Sequence, residues 1–242
     1  MDYRKNCNLE FENFKRNNIN FDLLSQNKKT YIKRIFKRIY LLNLLKNSPA
    51  LSTLKNNDYF KNSFSCIIES FDLLVSNHIR ASYLILRSSM ESYLKCIINI
   101  LVSTKPHNSS FKENKNIILE HISKSPYYNN IFSFEKNITN LGSLYGDFSA
   151  LTHSDTSLIE NFSANYLLEI RNVSESSFEC CANRFLSVLE LFIKILFPVF
   201  IDSFKQWNSL VLKDILSVTF SKSEVNDILT SISNYNNFLK TQ

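Results

Sequence analysis

LGSLYGDFSALTHSD, residues 141–155, holds both glycines of the chain, Gly142 and Gly146. Two glycines and four prolines in 242 residues are too few to punctuate a many-stranded sheet. Within the stretch, Leu141, Leu144, Phe148 and Leu151 fall on one stripe when projected at about 100° per residue. Tyr145, Ser149 and His153 form a second stripe that drifts away from the first. A glycine inside a helix costs roughly 1 kcal/mol relative to alanine. A pair at this spacing predicts close approach of another helix, or a local bend. The expected fold class is all-α.

The helical period continues on both sides. SQNKKTYIKRIFKRIYLLNLLK, residues 25–46, carries seven basic residues and no acid. Ile32, Ile35, Ile39 and Leu42 recur there at three- and four-residue steps, which predicts a basic amphipathic helix. NSPALSTLKNND (47–58) breaks it. Two long helices are expected between Asp58 and Ser103, parted near Ser76–Asn77. A polar loop at Lys105–His107 contains Pro106, and a short helix should stop before Pro126. The helix carrying the opening stretch runs from about Asn130 to His153. Ser157-x-x-Glu160 and Ser221-x-x-Glu224 have the capping-box form and mark helix starts. Between them a long apolar helix is expected from about Ser176, bent near Pro198. The organisation read from this is a basic N-terminal helical extension (1–50) and a helical bundle (51–242) whose last helices occupy 209–240.

With 44% hydrophobic and 13% aromatic residues, the chain can bury a sizeable core. Its most apolar run, FLSVLELFIKILFPVFI (185–201), is interrupted by Glu190, Lys194 and Pro198. It falls short of the roughly 20 apolar residues a membrane span needs, so a buried helix is expected. The five cysteines (Cys7, Cys66, Cys96, Cys180, Cys181) are odd in number and form no CxxC pair. With the polar start MDYRKNCNLE they read as free thiols of a cytoplasmic protein. There is no Gly-rich phosphate loop, no G-x-S-x-G elbow and no H-E-x-x-H, and the histidines are scattered. Neither a metal nor a cofactor is expected. Cys180–Cys181 reads as core filling, His121 as a helix-end residue and Trp207 as a packing anchor.

Projecting His78–Ser103 gives one fully apolar face, from Ile79 and Tyr83 to Ile97 and Leu101. A second face begins with Arg80, Arg87 and Glu91 and ends with Leu94 and Ile98. A face that starts charged and ends apolar is not plain solvent surface. Arg87 and Glu91 also stand in the weaker order for a local pair, cation before acid, which suits a partner on another helix. The candidate site is therefore Arg87, Glu91, Tyr145, Ser149 and His153, converging between two packed helices. Arginine orients phosphate, histidine exchanges a proton near neutral pH, and glutamate holds either one. That set suits phosphodiester chemistry or phosphate binding. The competing reading is structural, with His153 at a helix end and Arg87–Glu91 as a partly buried ion pair.

SYLILRSSMESYLK, followed about fifty residues later by LYGDFSALTHSD, resembles the helical domains of the HEPN superfamily. It is similar to variants found beside bacterial antiphage and toxin systems, with an Arg-x-x-x-Glu helix and a later Tyr-x-x-x-Ser-x-x-x-His helix. The resemblance covers roughly residues 58–200. It implies a HEPN-like bundle and, as in many members, a ribonuclease that forms dimers. The chain departs from the family hallmark, since no arginine precedes any of its histidines by the usual spacing of four to six intervening residues. Two functions follow as expectations. One is an effector that binds RNA or another nucleic acid and cleaves it. The other is a non-catalytic subunit that recruits or regulates a partner protein of such a system.

The net charge of +6 is unevenly spread. Residues 1–46 hold eleven Lys/Arg against four Asp/Glu, and the remainder seventeen against eighteen. All of the excess positive charge thus lies in the N-terminal fifth. Lys28, Lys29, Lys33, Arg34, Lys37 and Arg38, interleaved with Tyr31, Phe36 and Tyr40, form a candidate nucleic-acid-binding set. A solvated charged face, a partner protein or an anionic membrane surface are the other readings of the same helix.

Overall fold

Helix follows helix through the computed structural model, which describes residues 2–102, 107–124, 133–152 and 174–240. Among the described residues there are twelve α-helices, one short 3-10 turn at Pro49–Leu51 and no strand. The N-terminal third contains α1 (Tyr3–Asn17), α2 (Ile19–Asp22), α3 (Gln26–Lys46), α4 (Ser52–Asn56) and α5 (Asp58–Val75). Next come α6 (Ile79–Leu101), α7 (Phe111–Ser123), α8 (Phe134–Thr152) and α9 (Glu175–Val199). The chain closes with α10 (Ile201–Lys205), α11 (Ser209–Leu216) and α12 (Lys222–Lys240).

The expected break at Ser76–Asn77 is real. Asn77 takes a left-handed φ of 60°, and the His78 amide reaches back to the Leu73 carbonyl at 2.8 Å, closing α5 before α6 begins. The two helices then run antiparallel with serines between them. Ser70 Oγ donates to the Ser82 carbonyl at 2.8 Å while Ser82 Oγ donates to the Ser70 carbonyl at 2.9 Å. Two turns away, Ser89 Oγ donates to the Ser63 carbonyl at 2.9 Å and lies 3.0 Å from Ser63 Oγ. All four serines are completely buried. Small side chains let the two backbones approach closely, and each hydroxyl is satisfied by the opposite helix, so burial leaves no orphaned polar group.

α9 is the helix around which the others gather. Ser174 caps it, accepting from the Ser177 amide, and fourteen of its residues are buried. Tyr93 of α6 stacks on its Phe192 at 3.8 Å and donates to the Phe192 carbonyl at 2.6 Å. The bend expected at Pro198 appears as a helix end one residue later, before α10 resumes at Ile201. α3, capped by Ser25, buries Ile32, Ile35, Ile39 and Leu42, which join the same core as α9. Phe11, Phe14, Phe21, Phe36 and Phe71 interlock around its outer side at ring distances of 5.2 to 6.4 Å.

The Ser221-x-x-Glu224 box forms as expected. Glu224 accepts from the Ser221 amide at 2.9 Å, and Ser221 Oγ accepts from the Glu224 amide at 3.3 Å. The Ser221 amide, foremost, holds the Glu224 carboxyl below the usual range. The expected box at Ser157–Glu160, the prolines Pro106 and Pro126 and the helix start near Asn130 lie outside the described residues. All five cysteines are free thiols. Among the described residues no helix is long and apolar enough to cross a membrane.

Candidate functional site

α6 and α8 run antiparallel, so the Arg-x-x-x-Glu turn of one meets the tyrosine turn of the other. Tyr145 donates its hydroxyl to Glu91 Oε1 at 2.6 Å. Arg87 Nε lies 3.5 Å from the same oxygen, and its guanidinium sits 4.9 Å from the centre of the Tyr145 ring. Phe111, the first residue of α7, stacks on Tyr145 at 3.7 Å with the rings 3° from parallel. Phe111 holds one face of the tyrosine, so the guanidinium takes the other. The Arg87 and Glu91 side chains are 23% and 34% exposed, so this is a half-sheltered pair. Burial first, and then donation to the Glu91 carboxylate, raises the Tyr145 phenol above its ordinary range. The phenol therefore stays protonated as a donor through the physiological range.

Arg87, Glu91 and Tyr145 are thus brought together. Ser149, half-buried, follows Tyr145 by one turn of α8. His153 lies outside the described residues.

Of the two glycines, Gly142 faces another helix, α7, and Gly146 does not. A Cβ built on Gly142 would lie 2.9 Å from Lys115 Cδ of α7, and one on Gly146 meets nothing within 4 Å among the described residues. The close approach is to a flexible lysine arm on α7, and α6 is reached instead by the long side chains of Tyr145 and Phe148. Phe148 packs on Tyr83 at 4.9 Å, one turn of α6 before Arg87.

Sequence reasoning missed two members of this neighbourhood. Phe111 opens α7 directly after Ser110, whose hydroxyl caps the helix by accepting from the Glu113 amide. The Ser-x-x-Glu spacing of 110–113 was a legible signal for that start. Arg184 of α9 approaches Tyr83 from a third helix, with Nη1 3.4 Å from the phenol oxygen and the guanidinium 6.0 Å from the ring centre. Nothing local in the sequence pairs residues 83 and 184.

The basic residues of α3 divide by environment. Lys28 is 7% exposed, lying 5.1 Å over the Phe178 ring with Nζ 3.4 Å from Asn77 Oδ1. Arg38 forms an ion pair with Glu190 of α9 through both Nε and Nη2. Lys37 is half-buried, and Lys29 is half-buried with Nζ 3.2 Å from the Asp22 carbonyl. Lys33 and Arg34 are exposed. Of the interleaved aromatics, Phe36 is spent in the phenylalanine cluster and Tyr31 is hydrogen-bonded to Glu179.

No group of His, Cys, Asp and Glu among the described residues has the arrangement of a metal site. Compared with protein-family models, with curated proteins and with solved structures, the chain matches none.

Proposed function

We propose that this chain is a HEPN-like effector or accessory protein of a bacterial antiviral or toxin system, and that it binds RNA at the α6–α8 seam. The observation that carries the reading is the Arg87–Glu91–Tyr145 cluster: two segments fifty residues apart, chosen for phosphate chemistry, converge on one half-sheltered surface. A guanidinium has five N–H donors in a fixed fork. Glu91 and Tyr145 hold the guanidinium in place, which reduces the ordering cost when the phosphate arrives. Lys33 and Arg34 add exposed positive charge that steers a polyanion toward the molecule.

Cleavage adds the need for a proton-transfer group, and His153 is the candidate for it. The test joins gel-shift binding of single-stranded RNA, RNA integrity after incubation, and survival of expressing cells. Arg87→Ala is expected to weaken binding and relieve toxicity, and His153→Ala to leave binding in place while abolishing cleavage. Binding without cleavage in the unaltered protein assigns it the accessory role. A protein that binds no RNA, yet co-purifies with a defined partner irrespective of Arg87, refutes the reading in favour of the recruiting subunit.

A further inference from the structure

Arg87 has a counterpart one helical turn away. Along the α6–α8 seam the contacts form two successive layers. In the first, Arg87 of α6 lies over Tyr145 of α8. In the second, Tyr83 of α6 packs on Phe148 of α8, and Arg184 of α9 lies over Tyr83. Tyr83 and Arg87 are four residues apart on one helix, so the layers are separated by about 6 Å along its axis. Each layer therefore presents one guanidinium backed by a tyrosine. Arg184 is half-buried, and among the described residues no carboxylate oxygen lies within 4.0 Å of it. A half-buried cation with a phenol for its neighbour is placed to receive an anion from outside.

The aromatic rings limit what that anion can be attached to. Tyr145 has Phe111 on one face and Arg87 on the other, and Tyr83 is 6% exposed. Neither ring has a face left for a nucleobase, so the stacking by which proteins usually hold single-stranded bases is closed here. What remains is contact with the backbone, which positions a strand and carries no sequence information.

Building on the proposed function, we infer that Arg184 is a second phosphate-binding residue of this site. With Arg87 it grips neighbouring phosphates of single-stranded RNA without reading the bases.

The experiment is fluorescence anisotropy on the full chain with labelled oligo-U, oligo-A and mixed-sequence RNA of equal length, across a salt series. Loss of one phosphate contact to a single strand lowers the slope of log K against log salt by about 0.7. Arg184→Ala is expected to weaken binding at least tenfold, equally on all three RNAs, with that loss of slope. The Arg87→Ala/Arg184→Ala double variant should lose roughly twice as much slope. Arg184→Lys should keep the slope, since the charge remains. If Arg184→Ala does not fold, Arg184→Gln, which can still donate to Tyr83, takes its place. Wild-type affinity in a folded Arg184→Ala protein, with Arg87→Ala impaired, overturns this inference and leaves the first site standing. A strong preference for one of the three RNAs overturns the backbone-only claim. A wild-type protein that binds none of them removes both this inference and the function on which it rests.

Discussion

Replacing Arg87 by alanine separates scaffold from site, and the structure sets the scale. Among the interactions lost, the two that set the scale are the 3.5 Å contact with Glu91 and the 4.9 Å approach to the Tyr145 ring. With side chains 23% and 34% exposed, the ion pair is screened by water and contributes at most about 1 kcal/mol. The cation–π contact adds about 0.5–1 kcal/mol. Tyr145 keeps its bond to Glu91 and its stack on Phe111, so no buried charge is stranded. The expected destabilisation is therefore about 1–2 kcal/mol, a fall in Tm of about 2–8 °C for a chain of this length. A charge-assisted hydrogen bond to phosphate contributes about 1.5–3 kcal/mol, so RNA affinity should drop roughly 10- to 100-fold. Urea unfolding followed by circular dichroism measures the first quantity, and anisotropy with single-stranded RNA on the folded variant measures the second. A destabilisation of about 3–5 kcal/mol, the range for breaking a buried ion pair, with unchanged affinity in the folded fraction, refutes the reasoning. The cluster would then be scaffolding.

The serine rungs yield a second expectation: Ser82→Ala should cost about 1 kcal/mol in chemical denaturation, whereas Ser82→Leu should cost at least about 1–3 kcal/mol because the helices are in close contact there. A similar, small loss for both would show that α5 and α6 are not closely apposed. On α3, Lys33→Glu with Arg34→Glu should weaken RNA binding and leave the melting curve almost unchanged, since both residues are exposed. Arg38→Ala should instead lower the melting temperature by stranding Glu190, and equal behaviour of the two variants would contradict that division. Alkaline stability has a defined sign. Burial pushes the thiols of Cys7 and Cys181 from 9.0 up to about 11 and about 12, and it raises the Tyr83 and Tyr145 phenols above 10.0. The stability these groups contribute is fully present below about pH 9, and it is lost as pH rises through their folded-state values. The urea midpoint should hold to about pH 9 and then fall, less steeply in Cys7→Ala/Cys181→Ala; a flat profile to pH 11 counts against the buried ionisable groups.

Much of the fold could be read in advance because its signals are local. The 3.6-residue period placed α3, α5, α6 and α9, since a side chain's position around a helix depends only on its own neighbours in sequence. Asn77 at the α5–α6 turn and the Ser221–Glu224 box act over a few residues and formed as read. So did the buried stripe Ile32–Ile35–Ile39–Leu42. Arg87, Glu91 and Tyr145 were legible as two stripes on two helices, because residue type and spacing already marked faces that were neither plain core nor plain solvent.

Only the tertiary structure decided which faces meet. The glycine pair could signal approach of any helix, and packing set Gly142 beneath the Lys115 arm of α7 while Tyr145 and Phe148 span to α6. Seven like charges on α3 read as one surface. Docking on α9 drew Lys28 over Phe178 and Arg38 to Glu190, leaving Lys33 and Arg34 outward. Phe111 and Arg184 reach the α6–α8 seam across 34 and 101 residues, to Tyr145 and Tyr83. Helical period fixes angle about an axis but not the pairing of axes. That pairing is settled by the summed burial of all the faces at once, so the sequence determined the helices and their stripes, and the packed core determined the site.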